Sequence, residues 1–218
     1  MKLGVTFPLF EIGNDPGGIK AYVQAAEKLG FDNVHCGDHI VGTDPRAHPT
    51  FTTGYTHLQP SLDPLVLFGF LAAVTTRIEL TTGVLLLTER QTVLVAKQAA
   101  GLDVLSNGRL RLGVGVGAFE PEFEAVREEF RHRGERSEEQ IALMRALWTQ
   151  ESVTFRGRWH TVVGFGSNPL PVQRPIPIWI GGHAEVVLER TGRLVDGWIL
   201  AREKPSEEVG QAFERVRG

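Results

Sequence analysis

The order of apolar and amphipathic segments predicts an α/β protein with a parallel sheet covered by helices. Strand-like runs alternate with helix-like runs from Leu3 to Val216. The strand-like runs are apolar throughout instead of alternating with polar residues, as in strands buried on both faces. Four of them end in a glycine-bearing or acidic segment: Val34-His35-Cys36-Gly37-Asp38-His39, Ile78 to Val84, Leu110 to Gly117, and Ile176 to Gly182. Collected on one rim of a parallel barrel, such ends form a pocket where backbone approaches a ligand with no Cβ in the way. Right-handed crossovers allow an open doubly wound sheet or a barrel, and composition does not choose between them.

The elements follow in order. Leu3 to Pro8 reads as a buried strand. Gly17-Gly18 opens an amphipathic helix, Ile19 to Leu29, with Ala25, Ala26 and Leu29 on one face and Gly30 as its stop. A second strand covers Asn33 to Ile40. The polar segment from Val41 to Leu62, with Pro45, Pro49 and Pro60, is too long for a connector and is expected to be a substrate loop. Asp63-Pro64 is a cap followed by a first-turn proline, so a helix runs from there to Val74.

Ile78 to Leu87 is a third strand, and Gln91 to Leu105 a helix closed by Ser106-Asn107-Gly108. A fourth strand covers Arg109 to Val116. A charged helical stretch, Glu122 to Arg136, presents a solvated face, and an amphipathic one, Glu138 to Trp148, turns Ile141, Met144, Ala146 and Leu147 to a core. Thr154 to Val163, centred on Arg156-Gly157-Arg158, is expected to be a β-hairpin outside the main sheet. Pro169, Pro171, Pro175 and Pro177 return the chain in extended form. Ile178 to Ile180 is the fifth strand, Ala184 to Leu194 a helix, Gly197 to Ala201 the sixth strand and Ser206 to Val216 a final helix. With no low-complexity linker, residues 1–218 form a single domain with an insertion at about 118–175.

Composition narrows the function. The chain of 218 residues carries a formal net charge of -3, which offers no general attraction to nucleic acid or an anionic membrane. Met1-Lys2-Leu3-Gly4-Val5 leads directly into an apolar strand, and no apolar run approaches the ~20 residues of a membrane helix. A cytoplasmic protein without nucleic-acid or membrane partners is expected. Cys36 is the single cysteine, so no internal disulfide forms and thiol-rich metal sites are excluded.

Among the rim residues, His39 follows Asp38 at the exit of the second strand, and an imidazole there can hold or move a proton near neutral pH. Gly181 and Gly182 precede a helix start whose free amides suit a phosphate. Gly113, Gly115 and Gly117 have the wrong spacing for a dinucleotide fingerprint and instead give close packing or room for a ligand. His35, His39, His48 and His57 with Asp38 and Asp44 match no metal-ligand spacing, and no metal site is expected.

A series of motifs then settles the barrel question. Ala25-Ala26-Glu27-Lys28-Leu29-Gly30-Phe31-Asp32, Gly37-Asp38-His39, Thr82-Gly83-Val84-Leu85, Leu102-Asp103-Val104-Leu105-Ser106-Asn107-Gly108-Arg109, Leu112-Gly113-Val114-Gly115 and Pro177-Ile178-Trp179-Ile180-Gly181-Gly182 occur in this order. Together they closely resemble the bacterial luciferase-like monooxygenase superfamily, nearest its branch that uses the deazaflavin coenzyme F420. The resemblance implies a TIM-type (β/α)8 barrel with an inserted segment after the fourth strand. Family members continue with two more strand–helix units, so the resemblance also implies either a shortened product of a longer parent or an oligomer, such as a homodimer, that masks the gap.

For function, the resemblance implies an oxidoreductase moving a hydride between F420 and a small organic substrate. FMN-dependent monooxygenation and cofactor binding without turnover are the alternatives. It places His39 beside the reactive ring with Asp38 as its neighbour. It puts a non-proline cis peptide at Gly83-Val84, with Thr82 alongside, against the ring. Gly115 and Gly117 give the cofactor room, and Gly181 with Gly182 lies at its phosphate. Relatives that oxidise sugar phosphates carry a glutamate where this chain has Ala118, a departure that argues against that activity; Glu120 and Glu122 lie nearby but off the matching position.

Overall fold

A computed structural model describes residues 2–50, 55–200 and 206–217. The first unit is β1 (Gly4–Thr6), a short helical turn α1 (Leu9–Ile12), and α2 (Pro16–Lys28), whose first amides at Gly17 and Gly18 are capped by the Asp15 carboxylate. The expected burial of the first strand is corrected, because β1 is an edge strand and Leu3 is 54% exposed. On α2 the core face is Ile19, Val23 and Ala26, and Leu29 lies outside it at the exposed helix end. The next unit is β2 (Asn33–Cys36), which is shorter than expected and leaves Gly37 to Ile40 beyond the strand, then α3 (Pro64–Val74), capped by Asp63.

The third apolar run is broken into β3 (Glu79–Thr82) and β4 (Leu85–Leu86) by Gly83 and Val84, whose peptide bond is cis. A 3-10 turn over Leu87–Glu89 leads to α4 (Thr92–Leu105), closed by Asn107 and Gly108 at φ 57° and 76°. After β5 (Leu110–Gly115), the charged stretch divides into α5 (Glu120–Val126), ended by left-handed Arg127, and α6 (Arg133–Thr149). Its reading as a solvated face is corrected, since Glu122 and Arg136 are buried. The hairpin β6 (Val153–Arg156) and β7 (Thr161–Phe165) forms its own antiparallel sheet. Glu139 of α6 holds its turn by accepting from the amides of Arg158, Trp159 and His160 at 2.7–2.9 Å. The chain returns through β8 (Ile178–Gly181), α7 (Glu185–Leu194), β9 (Gly197–Ile199) and α8 (Ser206–Arg217). The end of the expected sixth strand, Ala201, lies outside the described residues.

The main sheet is parallel in the order β1-β2-β3-β5-β8-β9, with β4 paired to β5. Among the described residues it is open, with β1 and β9 at its edges. Val34, Leu80, Leu112 and Ile178 are fully buried, and Trp148 locks α6 onto α4 by donating from Nε1 to the Ala96 carbonyl at 2.9 Å. No helix among the described residues is long and apolar enough to cross a membrane.

The strand entrances are tied by Arg109. Its guanidinium donates to the carbonyls of Ala72, Thr75, Ile78 and Ser106 and to the Thr75 hydroxyl, at 2.7–3.2 Å. It thereby joins the ends of α3 and α4 to the start of β3. Arg109→Ala should lower the urea unfolding free energy by roughly 2–3 kcal/mol, because several carbonyls lose a charged donor. Arg109→Lys should recover less than half of this, since an ammonium cannot reproduce the planar fork. A loss below about 1 kcal/mol in the alanine variant would show that water replaces the donor at little cost.

Candidate functional site

The exits of β2, β4, β5 and β8 converge on one cleft of about 790 Å³. Its wall begins with Gly37, Asp38 and His39; its floor is Gly83, Val84, Leu86, Gly115, Val116 and Gly117; its far lip is Gly181, Gly182, His183 and Ala184. All but one of the residues expected at the site therefore lie together. The exception is Thr82, which is fully buried in the sheet and does not line the cleft. Its hydroxyl donates to the Gly113 carbonyl at 2.6 Å and so joins β3 to β5.

The floor is shaped by one side chain. Val84 lies between Gly115 and Gly181: a Cβ on Gly115 would stand 2.6 Å from Val84 Cγ2, and one on Gly181 would meet Val84 Cγ1. These two glycines make room for Val84, and Val84 in turn faces the cleft. Gly117 has φ +68°, and a Cβ there would stand 2.5 Å from Glu89 Oε1 and 2.8 Å from the Phe123 ring. At the far lip the Gly182 backbone is engaged on both sides. That N–H donates to Ile199 O at 3.2 Å, and the Gly182 carbonyl accepts from Trp198 Nε1 at 2.6 Å. The amides left for an anion are those that open α7, from His183 onward.

Asp38 is tied down. Arg90 reaches it with Nη2 at 2.8 Å and Nε at 3.2 Å, and the Leu86 amide donates to it at 2.9 Å. The third arm of Arg90 donates to Asp63 at 2.7 Å. Burial pushes the Asp38 carboxyl above the ordinary aspartate value, against the pull of Arg90 and the Leu86 amide. Burial also pushes the Cys36 thiol up to about 12, with Asp38 and Asp63 adding to the effect. A thiol so placed is inert at neutral pH.

His39 is held by ring contacts and one carboxylate. It stacks on Tyr55 with centroids 4.1 Å apart and planes 12° apart, and Phe119 lies on it at 5.8 Å. Nδ1 stands 3.2 Å from Glu122 Oε1, and Nε2 has no partner among the described residues. An imidazole with one nitrogen anchored and the other open can exchange a proton with a bound molecule. Arg90, Glu89 and Tyr55 were not singled out from sequence, and Glu122 was noted only as off its expected position. The available signal was the charged pair Glu89-Arg90 directly after an apolar strand, where a buried ion pair has a place to form.

Glu89 is buried with both carboxylate oxygens unpartnered. Burial first, then the charges of Glu122 and Asp38, push its carboxyl from 4.5 up to about 8.

A family model described as luciferase-like monooxygenase matches residues 1–218. An uncharacterized protein of Mycobacterium tuberculosis is 38% identical over 203 residues, 89% of this chain and 68% of that protein. The F420-dependent glucose-6-phosphate dehydrogenase of Amycolatopsis mediterranei is 35% identical over 217 residues, 95% of this chain and 59% of that enzyme. Among solved structures, a monooxygenase from Streptomyces bottropensis superposes with a TM-score of 0.80 at 25% identity, over 100% of this chain and 65% of that one. An F420-dependent secondary alcohol dehydrogenase carrying an F420-acetone adduct superposes at 0.79 and 22% identity, over 100% and 64%. The chain thus spans roughly two thirds or less of the length of these proteins, and the parallel sheet and its helices have the fold of luciferase-like TIM barrels.

Two outcomes are expected from this geometry. Gly115→Ala should cost ~1–3 kcal/mol by overpacking against Val84, and the same change in a Val84→Ala background should cost less than half as much in urea unfolding. Equal costs would disconnect the two residues. For Glu89, the native state binds more protons than the unfolded chain between about 4.5 and about 8, so its contribution is full below that window and declines as pH rises through it. Glu89→Gln should therefore raise Tm relative to the parent more at pH 8 than at pH 5. A pH-independent difference would contradict the burial of this carboxyl.

Proposed function

Because this chain belongs to the luciferase-like monooxygenase family, we propose that its cleft binds a deazaflavin of the F420 type and that the protein moves a hydride between it and a small organic substrate. The observation that carries this reading is His39, anchored through Nδ1 and open at Nε2, on the wall of an apolar cleft floored by glycines and Val84. Such a floor fits a flat ring system, and the volume suits a cofactor-sized ligand. A relative that is named for F420 dependence and is 35% identical supports the deazaflavin over FMN. When bound, the deazaflavin accepts or delivers the hydride.

The chain's own residues do the rest. His39 Nε2 takes or gives the proton at the substrate oxygen as the neighbouring carbon changes oxidation state. Tyr55 and Phe119 keep the imidazole in its plane. Asp38 acts as a positioning residue, since its carboxylate is committed to Arg90 and the Leu86 amide. Val84, Gly115 and Gly117 support the ring. The amides opening α7 take the phosphate, with Gly181 and Gly182 bringing the chain to that lip. Ala118 offers no proton donor at the cleft, which argues for a substrate other than a sugar phosphate.

Titration with F420 and with FMN, followed by fluorescence quenching, tests the reading. F420 should bind more tightly; FMN binding alone would favour a monooxygenase, and binding of neither would end the proposal. His39→Ala should slow turnover by about 10²- to 10⁴-fold while cofactor affinity changes little. Equal loss of both would make His39 structural.

A further inference from the structure

Behind His39 lie two carboxyl groups that the chemistry above leaves without a task. The Glu122 side chain is 2% exposed; its Oε1 faces His39 Nδ1 and its Oε2 has no partner. Glu89 closes the turn before Arg90 and has no partner for either oxygen. Glu89 Oε1 and the ring of Phe123, the residue after Glu122, both press on the space that the absent Cβ of Gly117 leaves, so Glu89 reaches the short helix that carries Glu122. The negative charge of Glu122 is also felt at Glu89.

The arginines around this volume each have a partner of their own. Arg90 is shared by Asp38 and Asp63. From α6, Arg133 donates to the carbonyls of Gly117 and Phe130, and Arg136 pairs with Glu128 through Nη1, with Nε and Nη2 left unpartnered. Glu120, on α5, is exposed. Glu122 faces the imidazole and keeps one orphan oxygen, and Glu89 carries two more. Two adjacent buried carboxylates do not both ionise readily, and one shared proton gives Glu122 Oε2 its missing donor.

Resting on the proposed proton role of His39, we propose that Glu89 and Glu122 form a positioning dyad for it. Glu89 keeps a proton that it donates to Glu122 Oε2; Glu122 Oε1 accepts the Nδ1–H of His39, and Nε2 is left with the lone pair that meets the substrate. When a substrate hydroxyl gives its proton to Nε2 as hydride leaves the adjacent carbon, which a bound deazaflavin would accept, the imidazolium formed stands against the one negative charge on Glu122. The dyad holds one proton and one charge before and after the step, and the proton on Nε2 returns to solvent through the cleft.

The test reads the cofactor-free protein. In ¹⁵N-histidine NMR, neutral His39 should carry its proton on Nδ1. In Glu122→Ala, which removes the acceptor facing Nδ1, the preference for the Nδ1–H tautomer should be lost. Infrared spectra at pH 7 should show a protonated carboxyl band that Glu89→Gln removes. An Nε2–H tautomer, a tautomer ratio unchanged in Glu122→Ala, or no protonated carboxyl in the parent protein would each overturn the dyad. The tautomer and the carboxyl band need no variant, so a misfolded mutant leaves the test intact. Intact dyad signals in a protein that binds neither F420 nor FMN would defeat the cofactor reading alone.

Discussion

One guanidinium holds the working edge of this protein together. Arg90 is only 14% exposed at its side chain and meets two carboxylates, Asp38 on the exit of β2 and Asp63 at the start of α3. Asp63 has a second duty, because its other oxygen caps α3 through the amides of Leu65 and Val66 at 2.9 and 3.0 Å. Asp38 likewise takes the Leu86 amide, so β4 is drawn into the same knot. A buried charge is tolerated only when paired and hydrogen-bonded, and removing one member leaves the others uncompensated at a cost of about 3–5 kcal/mol. His39, the residue after Asp38, has its backbone position fixed as a consequence.

The site divides its physical work among three kinds of residue. The Arg90 knot fixes the wall. Glycines set the floor: Gly115 and Gly181 yield their side-chain space to Val84, so an apolar surface sits where the strand ends meet. Aromatic rings and one glutamate then hold His39, with Tyr55 and Phe119 limiting the ring's tilt and Glu122 engaging one of its nitrogens. A cleft that is mostly apolar with a single anchored imidazole favours a flat, weakly polar ligand surface over a highly charged one.

Much of this was legible in the sequence because it is local. Alternating strands and helices, the Asp63-Pro64 cap, the Asn107-Gly108 stop and the hairpin around Gly157 each depend on a few neighbouring residues. The convergence of four glycine-bearing ends also follows, since parallel strands place their exits on one rim. The Arg90 knot was not legible, because its partners lie 27 and 52 residues away and no pattern marks the pairing. Glu122 was hidden for a related reason: it belongs to a charge run, and only the break at Arg127 turns a short helix so that this one carboxylate is buried. Thr82 does not line the cleft, because chain proximity to Gly83 does not put a side chain on the ligand side of the sheet. The exposure of β1 reflects its place at the sheet edge, which its own apolar residues do not encode.

The proposed function requires the glycine floor, with Val84 at its centre, to seat a deazaflavin ring and His39 to stand at the ring's reactive side. A crystal structure of the protein grown with F420 tests this most directly. The ring should lie against Val84 within van der Waals contact, with His39 reaching its edge or the substrate space above it and the phosphate at the start of α7. A ring bound away from Val84 and His39, or a phosphate on the opposite side of the cleft, would contradict it.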